Sequence, residues 1–237
     1  EESVEYDFKK TLSSSRHFNL SFPKEIPYHT RARVLAILER AYMDIGRKFG
    51  NVYPPSPVQV ILYDKGQFEQ ATLLNDNVGA LYDGKIRTPL DDSKGEPLDD
   101  DELKRRLTHE YVHVVVHTLL GDNVAWWLNE GLAETFSSGA PNDVRKELLR
   151  KAYENNIAFP LSALEAHQLK KLEPESLQLA YAESHAAVNL LWTKFGQQKL
   201  SHMISDLAGG MSQEEALRAN YRRTYATLEQ ELAGSYR

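Results

Sequence analysis

The chain has 237 residues, of which 41% are hydrophobic and 26% are charged, a balance typical of globular proteins. Its formal net charge of −6, without a long basic block, argues against a nucleic-acid-binding surface. The chain has no cysteine, which excludes disulfide bonds, thiolate metal ligands and a cysteine nucleophile.

The sequence contains no apolar run near the roughly 18 residues that a membrane-spanning helix needs. Its first residues do not resemble a signal peptide and include no initiator methionine, so we expect a processed or excised fragment. Cytoplasmic and extracytoplasmic locations are both compatible with the sequence, and the oligomeric state is open.

The first hundred residues carry patterns for several short strands and for helices. Alternating hydrophobic residues indicate strands, apolar spacings of three and four indicate helices, and Asp83-Gly84 is a strong hairpin signal. The predicted elements are strands over 17–22 and 58–63, a helix over 28–49, a short helix over 64–74, and a hairpin of strands over 78–82 and 85–89.

From residue 100 onward the pattern is helical. The predicted helices cover about 100–120, 125–138, 143–154, 174–195, 197–208 and 212–233. Strands followed by helices predict an α+β fold, with a small mixed or antiparallel sheet and a mostly helical C-terminal half. We expect one domain over 1–237, with a sheet-containing part over 1–98 and a helical part over 99–237.

Seven acidic residues lie between positions 91 and 102, with Lys94 as the single base among them. We interpret this run as a solvated loop, with a calcium site as the alternative. The last acids also suit the first turn of the next helix, because the helix dipole favours negative charge there.

Residues 109–113 read His-Glu-Tyr-Val-His inside the helix predicted over 100–120. Two histidines four residues apart project from one helix face and can bind one metal ion, usually zinc. Glu110 stands where a general base for an activated water would lie. His117, one turn further along, is interpreted as a packed histidine or one that supports a ligand. The alternative for the pair is two core histidines satisfied by hydrogen bonds.

Residues 129–134 read Asn-Glu-Gly-Leu-Ala-Glu and offer two carboxylates for a third ligand. The 16 residues between His113 and Glu130 allow the first helix to end, turn and return antiparallel. Glu134, one turn beyond Glu130, is the rival ligand, or it holds a ligating imidazole in place. Three protein ligands leave a fourth position open, which is the pattern of a catalytic zinc site.

Together, the two motifs resemble those of the gluzincin zinc peptidases. The nearest likeness is to the small peptidase MA-like domains of bacteria, relatives of the thermolysin and aminopeptidase groups. The resemblance implies a zincin-like α+β fold with zinc as the cofactor. It also implies that Glu130 is the third ligand, that Glu134 supports a zinc-binding histidine, and that Asn129 orients the site.

The segment from Tyr181 to His185, outside these two motifs, also resembles part of the family. It resembles the family's tyrosine segment, which implies that the Tyr181 hydroxyl stabilises the oxyanion, with His185 as a second candidate donor. The alternative is that Tyr181 only packs on an amphipathic helix. The segment from Val58 to Pro89 resembles the family's sheet and edge strand before the motif helix, and that strand can pair with an extended peptide. The 16-residue spacer is shorter than in thermolysin-like enzymes, and the exopeptidase signature Gly-x-Met-Glu-Asn is absent.

The expected function is zinc-dependent hydrolysis of peptide bonds in a peptide or protein substrate, with Glu110 as general base. A catalytically silent zinc-containing module that binds peptides is the alternative. A third hypothesis is a metal-binding interaction module at the end of a helical-repeat protein. The presence of Glu110 favours the enzyme, because a purely structural metal site needs no base. Substrate identity and the choice between endopeptidase and exopeptidase are open.

Overall fold

The structure is a computed structural model, and it describes residues 11–63, 81–82, 84–92, 94–165 and 172–236. It is an α+β protein in which the strands precede most of the helices, as predicted. The chain divides into two compact units, Glu1–Val115 and Val116–Arg237. The expectation of one domain with parts over 1–98 and 99–237 stays a prediction.

The first unit is built on a mixed five-stranded sheet with the strand order β1-β2-β3-β5-β4. Its strands are β1 (Thr11–Ser14), β2 (Phe18–Phe22), β3 (Val58–Tyr63), β4 (Leu81–Tyr82) and β5 (Ile86–Pro89). The central pairs β2–β3 and β3–β5 are parallel, and the outer pairs β1–β2 and β4–β5 are antiparallel. The mixed sheet and the β4–β5 pairing confirm the sequence predictions, whereas β1 was not predicted. Residues 78–80 of the first predicted hairpin strand lie outside the described residues. The helix predicted over 64–74 lies outside the described residues.

Helix α1 (Tyr28–Lys48) follows β2 and precedes its parallel neighbour β3, as a parallel strand pair requires a long connection. The apolar positions that predicted this helix are the ones it buries, among them Val34, Leu38 and Ile45. Alternate residues of β2 are buried as well, which is the burial pattern of a strand with one face in the core. The hydrophobic spacing of the sequence is therefore sufficient to place both elements.

Helix α2 (Asp100–Leu120) carries the His-Glu-Tyr-Val-His motif. Its first turn is acidic, as predicted, and Asp99 Oδ1 accepts a hydrogen bond from the Glu102 backbone N–H at 2.8 Å. Within the motif, the centroid of the Tyr111 ring lies 5.6 Å from that of Phe18 on β2 and 6.0 Å from that of Tyr42 on α1. These aromatic contacts hold the motif helix against the sheet and α1.

The described part of the second unit is helical. It contains α3 (Trp126–Ser138), α4 (Asp143–Glu154), a short 3-10 helix (Leu161–Leu164), α5 (Pro174–Ala208), α6 (Gln213–Tyr221) and α7 (Tyr225–Tyr236). Gly196, with φ 77° and ψ 178°, interrupts α5 and confirms the predicted break between 195 and 197. The single helix predicted over 212–233 is wrong. Arg222 adopts a left-handed conformation with φ 55° and ends α6 before α7 begins.

Within the described residues, no helix is both long and apolar enough to cross a membrane.

Close packing of α3 on α5 depends on a glycine. A Cβ atom added to Gly131 would lie 2.3 Å from the Ser184 carbonyl oxygen and 2.4 Å from Val188 Cγ2. The first of these atoms belongs to the backbone of α5 and cannot rotate away. The two helices therefore approach as closely as they do because residue 131 has no side chain.

We expect Gly131→Ala to lower the free energy of unfolding by about 1–3 kcal/mol, because the methyl group forces α3 and α5 apart. Gly234→Ala is the matched control. Gly234 also lies in a helix, a Cβ there meets nothing within 4 Å, and the substitution should stabilise by about 0.5–1 kcal/mol. Denaturant unfolding of both variants measures the difference. Equal stability of the two would contradict the close contact.

A buried glutamate on α5, Glu183, affects stability through its protonation. Glu183 is 2% exposed and its Oε1 accepts a hydrogen bond from the Phe159 backbone N–H at 2.9 Å. Burial raises the pKa of the Glu183 carboxyl to about 8, the Phe159 hydrogen bond opposes this rise, and the nearby Glu229 adds to it. The folded protein therefore holds Glu183 protonated at neutral pH.

This proton makes stability depend on pH. Below pH 4.5, the ordinary pKa, the carboxyl is protonated in both the folded and the unfolded state. Between pH 4.5 and about 8 only the folded state keeps the proton, so the free energy of unfolding falls as pH rises through this window. We expect Glu183→Gln to reduce that slope, measured by denaturant unfolding across the same range. Glu175→Gln, at an exposed position of α5, should leave it unchanged; an unaltered slope in Glu183→Gln would contradict the assignment.

Candidate metal centre

Three side chains of the sequence motif come together on one face of α2. The potential ligand atoms of His109, Glu110 and His113 all lie within 4.8 Å of one another. The two imidazole centroids are 4.8 Å apart and their planes are inclined by 82°. Across the described residues this is the one group of three or more such side chains close enough to hold a metal ion. The acids between 91 and 102 form no such group there.

The helix periodicity explains this arrangement. His109 and His113 are four residues apart and lie one above the other, while Tyr111 and Val112 are fully buried. Burial of these two residues fixes the rotation of the helix and therefore the direction in which the histidines project. His117, a further turn along, is exposed, so the interpretation of His117 as a packed residue is wrong.

The donor set fits a zinc ion. Imidazole nitrogen and carboxylate oxygen are both ordinary zinc ligands, and two nitrogens on one tetrahedral zinc ion lie about 3.4 Å apart. The ligand atoms of this group, all within 4.8 Å of one another, are close to that separation. Glu110, in the same group, is buried, and one of its carboxylate oxygens lies within 4.8 Å of a ring nitrogen of each histidine.

The second motif lies on α3, in the second unit. Glu130 is 9% exposed, Glu134 is 4% exposed, and Asn129 is half-buried. Glu130 and Glu134 are four residues apart and share a helix face. Two buried carboxylates on one helix are costly unless cations or hydrogen-bond donors offset their charge. The ligand role of Glu130 and the supporting roles of Glu134 and Asn129 stay predictions.

The sequence did not identify the residue that neutralises Glu134. Arg145 of α4 places its Nη1 atom 2.6 Å from Glu134 Oε2 and 2.7 Å from His185 Nδ1. The other ring nitrogen of His185, Nε2, lies 2.7 Å from the Gly139 carbonyl oxygen. His185 is 1% exposed, so its ring faces protein groups of the second unit and does not present an accessible donor.

Tyr181 precedes His185 by one turn of α5 and is half-buried. Its ring packs edge-on against the Trp126 ring at the start of α3, with centroids 5.0 Å apart and planes inclined by 64°. This contact gives the packing alternative a specific partner. The catalytic role of the hydroxyl stays a prediction.

Comparison with known proteins agrees with the two motifs. Residues 47–235 match the family model of the peptidase MA superfamily. No curated protein gives a significant match. The matched range includes α2 with its histidine pair and α3 with its two carboxylates. Because that range covers most of the sequence, the chain belongs to the peptidase MA superfamily.

Proposed function

We propose that the protein is a zinc-dependent peptidase that hydrolyses peptide bonds with Glu110 as general base. The observation that supports this most directly is the grouping of His109, Glu110 and His113 on one helix face in a peptidase MA superfamily member. The resemblance of the surrounding sequence to the gluzincins gives further support.

His109, His113 and Glu130 would hold the zinc ion, with Glu134 and Asn129 supporting the ligands. When bound, zinc lowers the pKa of a water molecule towards neutrality and polarises a carbonyl group. The protein contributes the positions of the two rings, which the burial of Tyr111 and Val112 determines. It also contributes a largely buried setting, in which each charge acts more strongly than it would in water.

Glu110 would act on protons. Its carboxylate is buried next to both imidazoles, where it can take a proton from the attacking water and transfer it to the leaving amine. Tyr181 is the proposed donor to the oxyanion that develops on the substrate carbonyl. The packing of its ring on Trp126 would limit the motion of the hydroxyl.

The alternative function is a zinc-containing module that binds peptides without cleaving them. Both functions would use the same metal ligands, so the metal alone does not distinguish them. Glu110 favours the enzyme, because a structural site gains nothing from a buried carboxylate beside its ligands. Among the described strands β4 lies at an edge of the sheet, where an extended peptide could pair under either function.

We expect the purified protein to carry about one zinc ion per chain, because a catalytic site of this type has one metal and three protein ligands. His113→Ala should abolish zinc binding, measured by elemental analysis after dialysis. His117→Ala is the matched control, since His117 lies one turn further along α2 and is exposed. Zinc content unchanged in His113→Ala would refute the ligand assignment.

We expect Glu110→Gln to retain zinc and to lower peptide hydrolysis by about two to four orders of magnitude, because the amide cannot accept the proton. A metal-dependent screen of a peptide library compares this variant with the native protein, with Asp101→Asn at an exposed position of α2 as control. Cleavage by the native protein and by Asp101→Asn supports the enzyme. Binding without cleavage by both the native protein and Glu110→Gln would favour the silent module.

A further inference from the structure

Three helices of the second unit meet at a hydrogen-bonded chain that starts at Glu134 and ends at Gly139. Arg145 Nη1 contacts Glu134 Oε2 at 2.6 Å and His185 Nδ1 at 2.7 Å, and His185 Nε2 contacts the Gly139 carbonyl oxygen at 2.7 Å. Glu134 and Gly139 belong to the C-terminal half and cap of α3, Arg145 to α4, and His185 to α5. This series of hydrogen bonds therefore joins α3 to two other helices, α4 and α5.

The donor and acceptor roles in this chain follow from the chemistry of its groups. A guanidinium only donates hydrogen bonds, so His185 Nδ1 must accept and carries no proton. A carbonyl oxygen only accepts, so His185 Nε2 must carry the proton and donate to Gly139. Both contacts are satisfied by one state alone, the neutral imidazole protonated at Nε2. A second proton would set an N–H of the ring against the N–H of Arg145.

The neutral state of His185 affects the position of the Arg145 guanidinium. Nδ1 draws the guanidinium towards α5, and the same Nη1 atom makes a charge-assisted bond with Glu134. Glu134 and Arg145 are both shielded from solvent, with side-chain exposures of 6% and 26%, so this bond is screened less than one at the surface. Glu130 is one turn before Glu134 on the same face of α3, so an anchor at Glu134 limits rotation of α3 about its axis and with it the direction in which Glu130 projects.

We propose that His185 is a positioning residue that acts through Arg145 on Glu134 and thereby orients the α3 face that presents Glu130. The inference rests on the proposed function, because it assigns Glu130 to the metal site. It gives His185 a role in which both ring nitrogens serve the protein and neither donates to a substrate.

The state of the ring is tested first, by the ¹⁵N chemical shifts of the histidine side chains in the native protein. A neutral ring with the proton on Nε2 and an acceptor shift at Nδ1 is expected for His185. Arg145→Met should change the Nδ1 shift, because it removes the donor. A ring protonated at Nδ1, or shifts unaffected by Arg145→Met, would overturn the inference whatever the protein does with zinc.

The consequence for the metal site is measured as zinc affinity, by competition with a chelator. His185→Leu should weaken zinc binding about tenfold, because residues that hold a ligand in place contribute about 10–100-fold to metal affinity. His185→Gln should restore part of the loss, since its carboxamide offers one acceptor and one donor. The control His202→Leu, at an exposed position of the same helical element, should leave affinity unchanged.

These measurements separate the inference from the proposed function. Native zinc affinity in a folded His185→Leu variant, checked by circular dichroism, would overturn the positioning role while the metallopeptidase proposal stands. A native protein that binds no zinc would overturn the proposed function and the inference with it, even if the ring state is the expected one. Partial rescue by His185→Gln with no effect of His202→Leu supports the role of the imidazole contacts themselves.

Discussion

The candidate metal centre depends on the anchoring of helix α2 through the residues between its two histidines. Tyr111 and Val112 are fully buried, and the Tyr111 ring packs on Phe18 of β2. Because this face of the helix is held in the core, its rotation is fixed, and the four-residue spacing places the half-buried His109 and the buried His113 on one face. Loss of this anchor would leave the motif intact in sequence but without a defined direction for its ligands.

The burial of three carboxyl groups in the second unit is stabilised in different ways. Glu134 is offset by the guanidinium of Arg145, and Glu183 keeps its proton because burial raises its pKa to about 8. Glu130, 9% exposed on the same face as Glu134, is the carboxylate that we propose as a zinc ligand. A divalent cation stabilises a buried carboxylate in its charged form, whereas a protonated acid would be a poor ligand.

The sequence predicts those parts of the protein in which the information is local. Periodic apolar residues suffice for α1, β3 and the motif helix, and the Asp83-Gly84 pair suffices for the β4–β5 hairpin. The break at Arg222 was missed, because a left-handed arginine has no local signal comparable to a glycine.

Long-range partners are the other part that the sequence does not reveal. Arg145 lies 11 residues from Glu134 and 40 from His185, and nothing in its own helix marks it as different from neighbouring surface arginines. His185 was noticed for its proximity to Tyr181, but its burial and its contacts with Arg145 and Gly139 are not visible in a single sequence. The exposure of His117 was misjudged for the same reason.

The two candidates on α5 for an oxyanion donor can be separated by their surroundings. A donor to a substrate needs an N–H or O–H that the protein itself does not use. His185 has one proton in its neutral form, and the Gly139 carbonyl oxygen accepts it. Tyr181, one turn earlier, is half-buried, and its ring packs edge-on against the Trp126 ring. The burial of His185 and the use of its one proton by Gly139 therefore argue against His185 as the donor, and Tyr181 keeps its place in the proposal because of the family resemblance.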